Sequence, residues 1–196
     1  MRFPEELWHN VFTQLIDIPT DEELFDERSD EHNWGARWQT TKEDERIESR
    51  RPPSLLLVCK AWQRICTPIL YRTVILRQTG QADALAATLA RRSDIAPYIK
   101  RLRLHGAYGY STHSIMRKAT QLSLLFLQFC LRSVDNISGL VSGLQLSQVN
   151  PRHLFLTEGG LPTKFRTKCM ETLVGVLGKW TNLVSLDFVL FVTCMT

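Results

Sequence analysis

The sequence has no apolar run long enough to cross a bilayer. Its most apolar stretch, Leu122 to Leu131, falls short of the roughly 20 residues a membrane helix takes. It has no C-x-x-C pair. The five cysteines (Cys59, Cys66, Cys130, Cys169 and Cys194) are odd in number and scattered, which argues against a disulfide framework or a zinc site. Most read as small buried hydrophobes. No basic-then-apolar leader opens the chain, since Met1-Arg2-Phe3-Pro4-Glu5-Glu6 runs into an acid-flanked amphipathic segment. These absences predict a soluble, intracellular protein, cytoplasmic or nuclear.

Marks of chemistry are also missing. His9, His32, His105, His113 and His153 are scattered, without H-E-x-x-H or other ligand spacing. Gly106-Ala107-Tyr108-Gly109 and Gly159-Gly160 read as turns, because neither supplies a full phosphate-cradling glycine pattern. Cys59 or Cys66 as a catalytic thiol is the weak alternative, both falling on an apolar helical pattern. The expectation is a non-enzyme with no cofactor, no metal and no catalytic residue. Zinc-finger, helix-turn-helix and ribonucleoprotein patterns are absent as well, and no Lys/Arg block exceeds three in a short window, so nucleic acid is not the expected partner.

What is present begins with a charge split. Residues 17–50 hold 12 acids and 5 bases, whereas residues 51–196 hold 18 bases and 6 acids. The plain reading is a solvated acidic loop beside a mildly basic domain. The sharper one is a basic surface that meets an acidic partner or, as the weaker alternative, nucleic acid.

The hydrophobic pattern sets the elements. Pro4, Glu5 and Glu6 suit a helix start, and Leu7, Trp8, Val11, Phe12, Leu15 and Ile16 make a broad apolar face, which predicts a helix over 4–16 too apolar to stand alone. Residues 17–53 lose all period and end in Pro52-Pro53, the pattern of an exposed, disordered insertion whose apolar residues, Trp34 and Trp38 among them, could dock elsewhere. Ser54 then reads as an N-cap. Leu55, Val58, Trp62, Ile65 and Ile69 repeat at helical steps, with Pro68 as a kink or the start of a further helix.

From Tyr71 the chain alternates. The pattern predicts a strand at Tyr71–Leu76, a helix with Ala82, Leu85, Ala86, Leu89 and Ala90 inward, and a strand in Ile99–Leu104. A strongly apolar helix at about 113–131, a weaker strand near Val134–Ile137 and a short helix at 140–148 come next. A strand at 153–156, a helix at about 165–179 and a strand within 182–191 complete the reading. Three strands share a spelling: Ile99-x-x-Leu102-x-Leu104, Leu154-x-Leu156 and Leu183-x-x-Leu186-x-Phe188. Strand–helix units of this kind are the leucine-rich-repeat pattern. The period is irregular: 52 residues separate Leu102 from Leu154 and 32 separate Leu154 from Leu186, or 32, 20 and 32 with Val134 as a degenerate strand.

Two blocks carry a family resemblance. Phe3-Pro4-Glu5-Glu6-Leu7, Val11-Phe12 and Leu15 form the first; Val58-Cys59-Lys60-Ala61-Trp62 with Arg64 forms the second. Together they resemble an F-box, written loosely as Leu-Pro-x-Glu-Leu, Ile-Phe and Leu, then Val-Ser-Lys-x-Trp. The continuation Thr67-Pro68-Ile69-Leu70-Tyr71-Arg72-Thr73-Val74 is similar to that of many fungal F-box proteins, where the box runs into leucine-rich-type repeats. Phe3 stands for the usual leucine, Cys59 for serine, and 38 residues separate Leu15 from Ser54 where the family uses a short connector.

The resemblance implies an α+β chain: a small all-helical F-box over 1–70, with the acidic insertion at 17–53, then an irregular leucine-rich-repeat-like α/β solenoid over 71–196. It implies an adaptor that binds Skp1, joins a cullin–RING ubiquitin ligase of the SCF type and recruits a protein substrate. Carried over position by position, the Skp1-facing residues are Pro4, Leu7, Val11, Leu15, Val58 and Trp62. The competing readings are that Leu7, Val11 and Trp62 are simply core, and that the chain is a non-catalytic interaction module without a ligase role. Because it stops after a repeat strand with no polar capping unit, the solenoid is expected to be truncated at its C-terminus.

Overall fold

The structure is a computed structural model that describes residues 4–16, 54–129, 136–158 and 164–190. The insertion at 17–53, Val134, Gly159-Gly160 and the last residues from Phe191 lie outside the described residues. The chain divides into two compact units, Met1–Leu70 and Tyr71–Thr196.

The first unit contains α1 (Glu5–Leu15), α2 (Leu55–Val58) and most of α3 (Lys60–Tyr71). Pro4 holds the start of α1, its carbonyl accepting from the N–H groups of Leu7 and Trp8. The single helix expected from Ser54 is broken in two at Cys59, whose backbone is extended (φ −161°, ψ 165°). The Cys59 carbonyl accepts the Gln63 N–H at 2.9 Å, so this residue opens α3 in the position of an N-cap. Ser54 does not cap: its dihedrals are helical (φ −55°, ψ −29°) and its hydroxyl makes no capping bond. Pro68 lies inside α3, which continues to Tyr71, so the expected strand starts later than Tyr71.

The second unit is built on β1 (Thr73–Leu76), β2 (Arg101–Leu104), β3 (Leu124–Gln128), β4 (His153–Glu158) and β5 (Ser185–Leu190). All neighbours pair in parallel, and the strands lie in the sheet in chain order. Between them run α4 (Thr79–Arg91) with a 3₁₀ turn (Ser93–Tyr98), α5 (Gly109–Lys118), α6 (Ser138–Leu144) and α7 (Lys164–Leu177). No strand order reverses among the described strands, so the sheet has no switch-point crevice of the kind that holds dinucleotides.

Register shows why the period looked irregular. Val74, Leu102, Leu125, Leu154 and Leu186 align across the sheet, at steps of 28, 23, 29 and 32 residues. The gap from Leu102 to Leu154 is therefore two steps, divided by β3. Leu124–Gln128 was expected to be helical; it is a strand, and the helix before it ends at Lys118. Leu124, Leu125, Phe126 and Leu127 are all buried. A strand buried on both faces carries a continuous apolar run, which periodicity cannot tell from a helix.

Of the strand expected near Val134–Ile137 only Asn136 and Ile137 are described, and they belong to no named strand. Asn136 forms an isolated bridge with Tyr108, and its side-chain oxygen accepts from the Ser138 N–H (3.1 Å) and hydroxyl (2.6 Å) at the start of α6. One face of the sheet packs on the helices: Leu102, Leu104, Leu125, Leu127, Leu154 and Leu156 share a core with Leu89, Ile115, Met116, Leu144, Leu173 and Val176. At roughly 1.5–3 kcal/mol for each fully buried large aliphatic side chain, this core dominates the unit. On the other face Arg103, 7% exposed, lays its guanidinium 4.4 Å from the Phe126 ring centroid.

Candidate functional site

In the first unit, the broad apolar face of α1 is divided between two uses. Trp8, Phe12 and Ile16 turn inward and join Trp62, Ile65, Cys66 and Ile69 in one cluster. Trp8 stacks on Phe12 (centroids 5.5 Å, planes at 17°) and tilts against Trp62 at 5.3 Å, while Phe12 meets Trp62 edge-on at 4.7 Å. Aromatic pairs of this geometry contribute about 0.5–1.5 kcal/mol each beyond their buried area. An ion pair between Glu5 and Arg64 ties the start of α1 to α3. Both partners are well exposed, so it steers more than it stabilises.

Leu7, Val11 and Leu15 follow the same four-residue step, one position earlier. They are 49%, 50% and 54% exposed. Leu57 and Val58, at the end of α2, are more exposed still. Five of the six residues singled out by the sequence are therefore at the surface: Pro4, Leu7, Val11, Leu15 and Val58. The sixth, Trp62, is half-buried against Trp8 and Phe12. The break at Cys59 explains the split. It ends the helical rotation that would have carried Val58 and Trp62 along one continuous stripe. Leu57 was missed in the sequence, because it falls outside that stripe and matches no motif position.

The described residues hold no group of three or more His, Cys, Asp or Glu side chains placed to bind a metal ion. Cys66 is fully buried, and desolvation, then the neighbouring Cys59, raise its thiol pKa. Both effects oppose the thiolate a nucleophile needs. In the second unit the Ser142 hydroxyl and His113 Nδ1 are 3.0 Å apart, while the Asp83 carboxylate accepts from Ser111. No helix among the described residues is long and apolar enough to cross a membrane.

Compared with known proteins, the chain matches no family model, no curated protein and no solved structure.

Proposed function

We propose that this chain is an F-box-type adaptor, whose first unit docks on Skp1 and whose second unit, a leucine-rich-repeat-like solenoid, selects a protein substrate for a cullin–RING ubiquitin ligase. The observation that carries the reading is the second apolar stripe of α1. A helix that spends Trp8, Phe12 and Ile16 on its own core still presents Leu7, Val11 and Leu15 to solvent. Burying the remaining half of each would contribute roughly 1 kcal/mol. Helix-to-groove recognition uses one apolar face of an amphipathic helix, and Leu7, Val11 and Leu15 supply such a face at four-residue steps. The solenoid reading is supported by five parallel strands in chain order, each preceded by a helix.

The test is co-purification with Skp1 of the full chain and of a Leu7→Asp/Val11→Asp variant. The adaptor reading expects capture by the parent and loss in the variant at unchanged helix content. Equal capture of both, with both folded, would remove its main support. A chain lacking residues 20–50 is expected to keep binding. If that deletion abolished capture while the chain stayed folded, the insertion would belong to the interface.

A further inference from the structure

The second unit carries a line of cations at one end of its sheet. Four of the five connections that lead into a strand bring cations: Arg72 before β1, Arg92 and Lys100 before β2, Arg152 before β4, and Lys179 before β5; before β3 the cations are Arg117 and Lys118, in the last turn of α5. The only acid in those five connections is Asp94, which is already paired with Arg92 at 2.7 Å. The opposite end holds cations too, Arg77 after β1 and Lys164, Arg166 and Lys168 in the first turns of α7, so what sets the strand-entry end apart is the alignment of its cations at one level.

Backbone hydrogen bonds align part of this rim. The N–H groups of Lys100 and Arg101 both donate to the Arg72 carbonyl at 3.0 Å. Ser123 donates to Lys100 at 2.8 Å, and Arg152 to Ser123 at 2.7 Å. Arg72, Lys100 and Arg152 therefore lie at one level. With strands about 4.8 Å apart, their backbones are spaced about 5 and then 10 Å along a line. The Lys100 ammonium donates to a neutral acceptor, Gln121 Oε1, at 3.3 Å, and Arg72 and Arg152 are exposed.

Helix electrostatics explain only some of these charges. Arg117 and Lys118 sit in the last turn of α5, where a cation offsets the negative end of the helix dipole. Arg72 directly follows the end of α3 and shares that role, whereas Lys100 and Arg152 enter strands away from the end of an α-helix. Three cations in line with no acid at their level repel one another, and an anionic partner would relieve that repulsion.

We propose that this rim docks an acidic polypeptide stretch of a partner protein. A compact phosphate is held by converging N–H groups at a helix N-terminus or an amide nest. This rim is where helices end, and its amides at positions 100, 101, 123, 124, 152, 153, 184 and 185 are already used in the ladder. What remains is side-chain charge spread along a line, which suits carboxylates spread along a chain. The proposal concerns the second unit alone and stands or falls independently of Skp1 binding.

The test is fluorescence anisotropy on the full chain at low ionic strength, with a labelled peptide of four Glu-Asp-Ser-Gly repeats and, separately, labelled oligouridylate. Two charge-reversed variants are compared. Arg72→Glu/Arg152→Glu removes two rim cations. Lys164→Glu/Lys168→Glu makes the same net-charge change on the first turns of α7, away from the rim. Circular dichroism checks that both fold. The rim variant is expected to lose at least about tenfold in peptide affinity and the α7 variant no more than about twofold. Equal losses would reduce the effect to net charge and overturn the proposal. So would oligouridylate binding as tightly as the peptide, or peptide binding that emerges only when residues 17–50, with their 12 acids, are deleted.

Discussion

The Phe12 ring meets the Trp62 indole edge to face, with centroids 4.7 Å apart and planes at 67°. This contact decides which side of α1 the first unit keeps. Phe12 is 1% exposed, while its chain neighbour Val11 is 50% exposed. Two adjacent apolar residues thus take opposite roles, one in the unit's own packing and one at the surface.

That division separates folding from binding. Leu7→Asp and Val11→Asp are surface changes and are expected to shift unfolding by no more than about 0.5 kcal/mol each. Trp62→Ala removes the ring on which Trp8 and Phe12 pack, and is expected to cost roughly 2–4 kcal/mol. Thermal melts of the three variants check this. If Leu7→Asp destabilised as much as Trp62→Ala, the outer stripe would be core and the adaptor reading would lose its basis.

Cys59 opens α3 with a thiol, a weak acceptor, beside the free N–H groups of the first turn. A serine there places a hydroxyl where it can accept from one of them. Cys59→Ser is expected to stabilise the first unit by about 0.5–1 kcal/mol. Urea unfolding would show it as a raised midpoint at unchanged slope. A lowered midpoint would mean that the thiol contributes packing the hydroxyl cannot replace.

Two glycines should respond in opposite directions. A Cβ on Gly139 would lie 1.6 Å from the Gly109 carbonyl oxygen, so α6 cannot sit where it does with a side chain there. Gly139→Ala is expected to cost at least about 2 kcal/mol through overpacking. Gly175 lies within α7 with nothing inside 4 Å of an added Cβ, and Gly175→Ala should stabilise by up to about 1 kcal/mol. Denaturant midpoints of the pair give a direct readout. Matching signs would contradict the packing of α6 beside Gly109.

Thiol reactivity probes both cores. Burial pushes the Cys169 thiol up to about 11, with Lys168 opposing weakly, and raises that of Cys66. A raised pKa keeps the thiol protonated through the neutral range, so at pH 8 roughly one Cys169 in a thousand is thiolate. Cys59 is exposed. In a short iodoacetamide pulse at pH 8, mass mapping should find Cys59 alkylated, and Cys66 and Cys169 only after denaturant is added. Labelling of Cys169 as fast as Cys59 in the folded chain would show that α7 is not packed on the sheet.

The candidate face was partly legible. Periodicity located an apolar helix at residues 4–16 and an apolar stripe through Trp62. It could not separate Leu7, Val11 and Leu15 from Trp8, Phe12 and Ile16, because two stripes one residue apart are equally apolar. Only the position of α3 distinguishes them. The break at Cys59 was hidden for a related reason: Leu55, Val58 and Trp62 keep helical spacing straight through an extended residue.

In the second unit, the paired Leu102 and Leu104, Leu154 and Leu156, and Leu186 and Phe188 announced three strands through their alternation. Leu124–Gln128 did not, since both its faces are buried and no polar residue interrupts the run. The basic half of the chain was visible as a number, but not as a line. Arg72, Lys100 and Arg152 are far apart in sequence and come to one level only through the parallel register.

Local chemistry therefore determined the α1 helix, the alternation of strand and helix after Tyr71, and the surplus of cations. These depend on near neighbours along the chain: apolar spacing, branching at Cβ, and composition. Tertiary structure decided which apolar stripe faces solvent, where the third strand lies and where the cations gather, because each depends on a partner distant in sequence. The clearest instance is Val11 beside Phe12. Their difference in burial is set by Trp62, about fifty residues further along the chain.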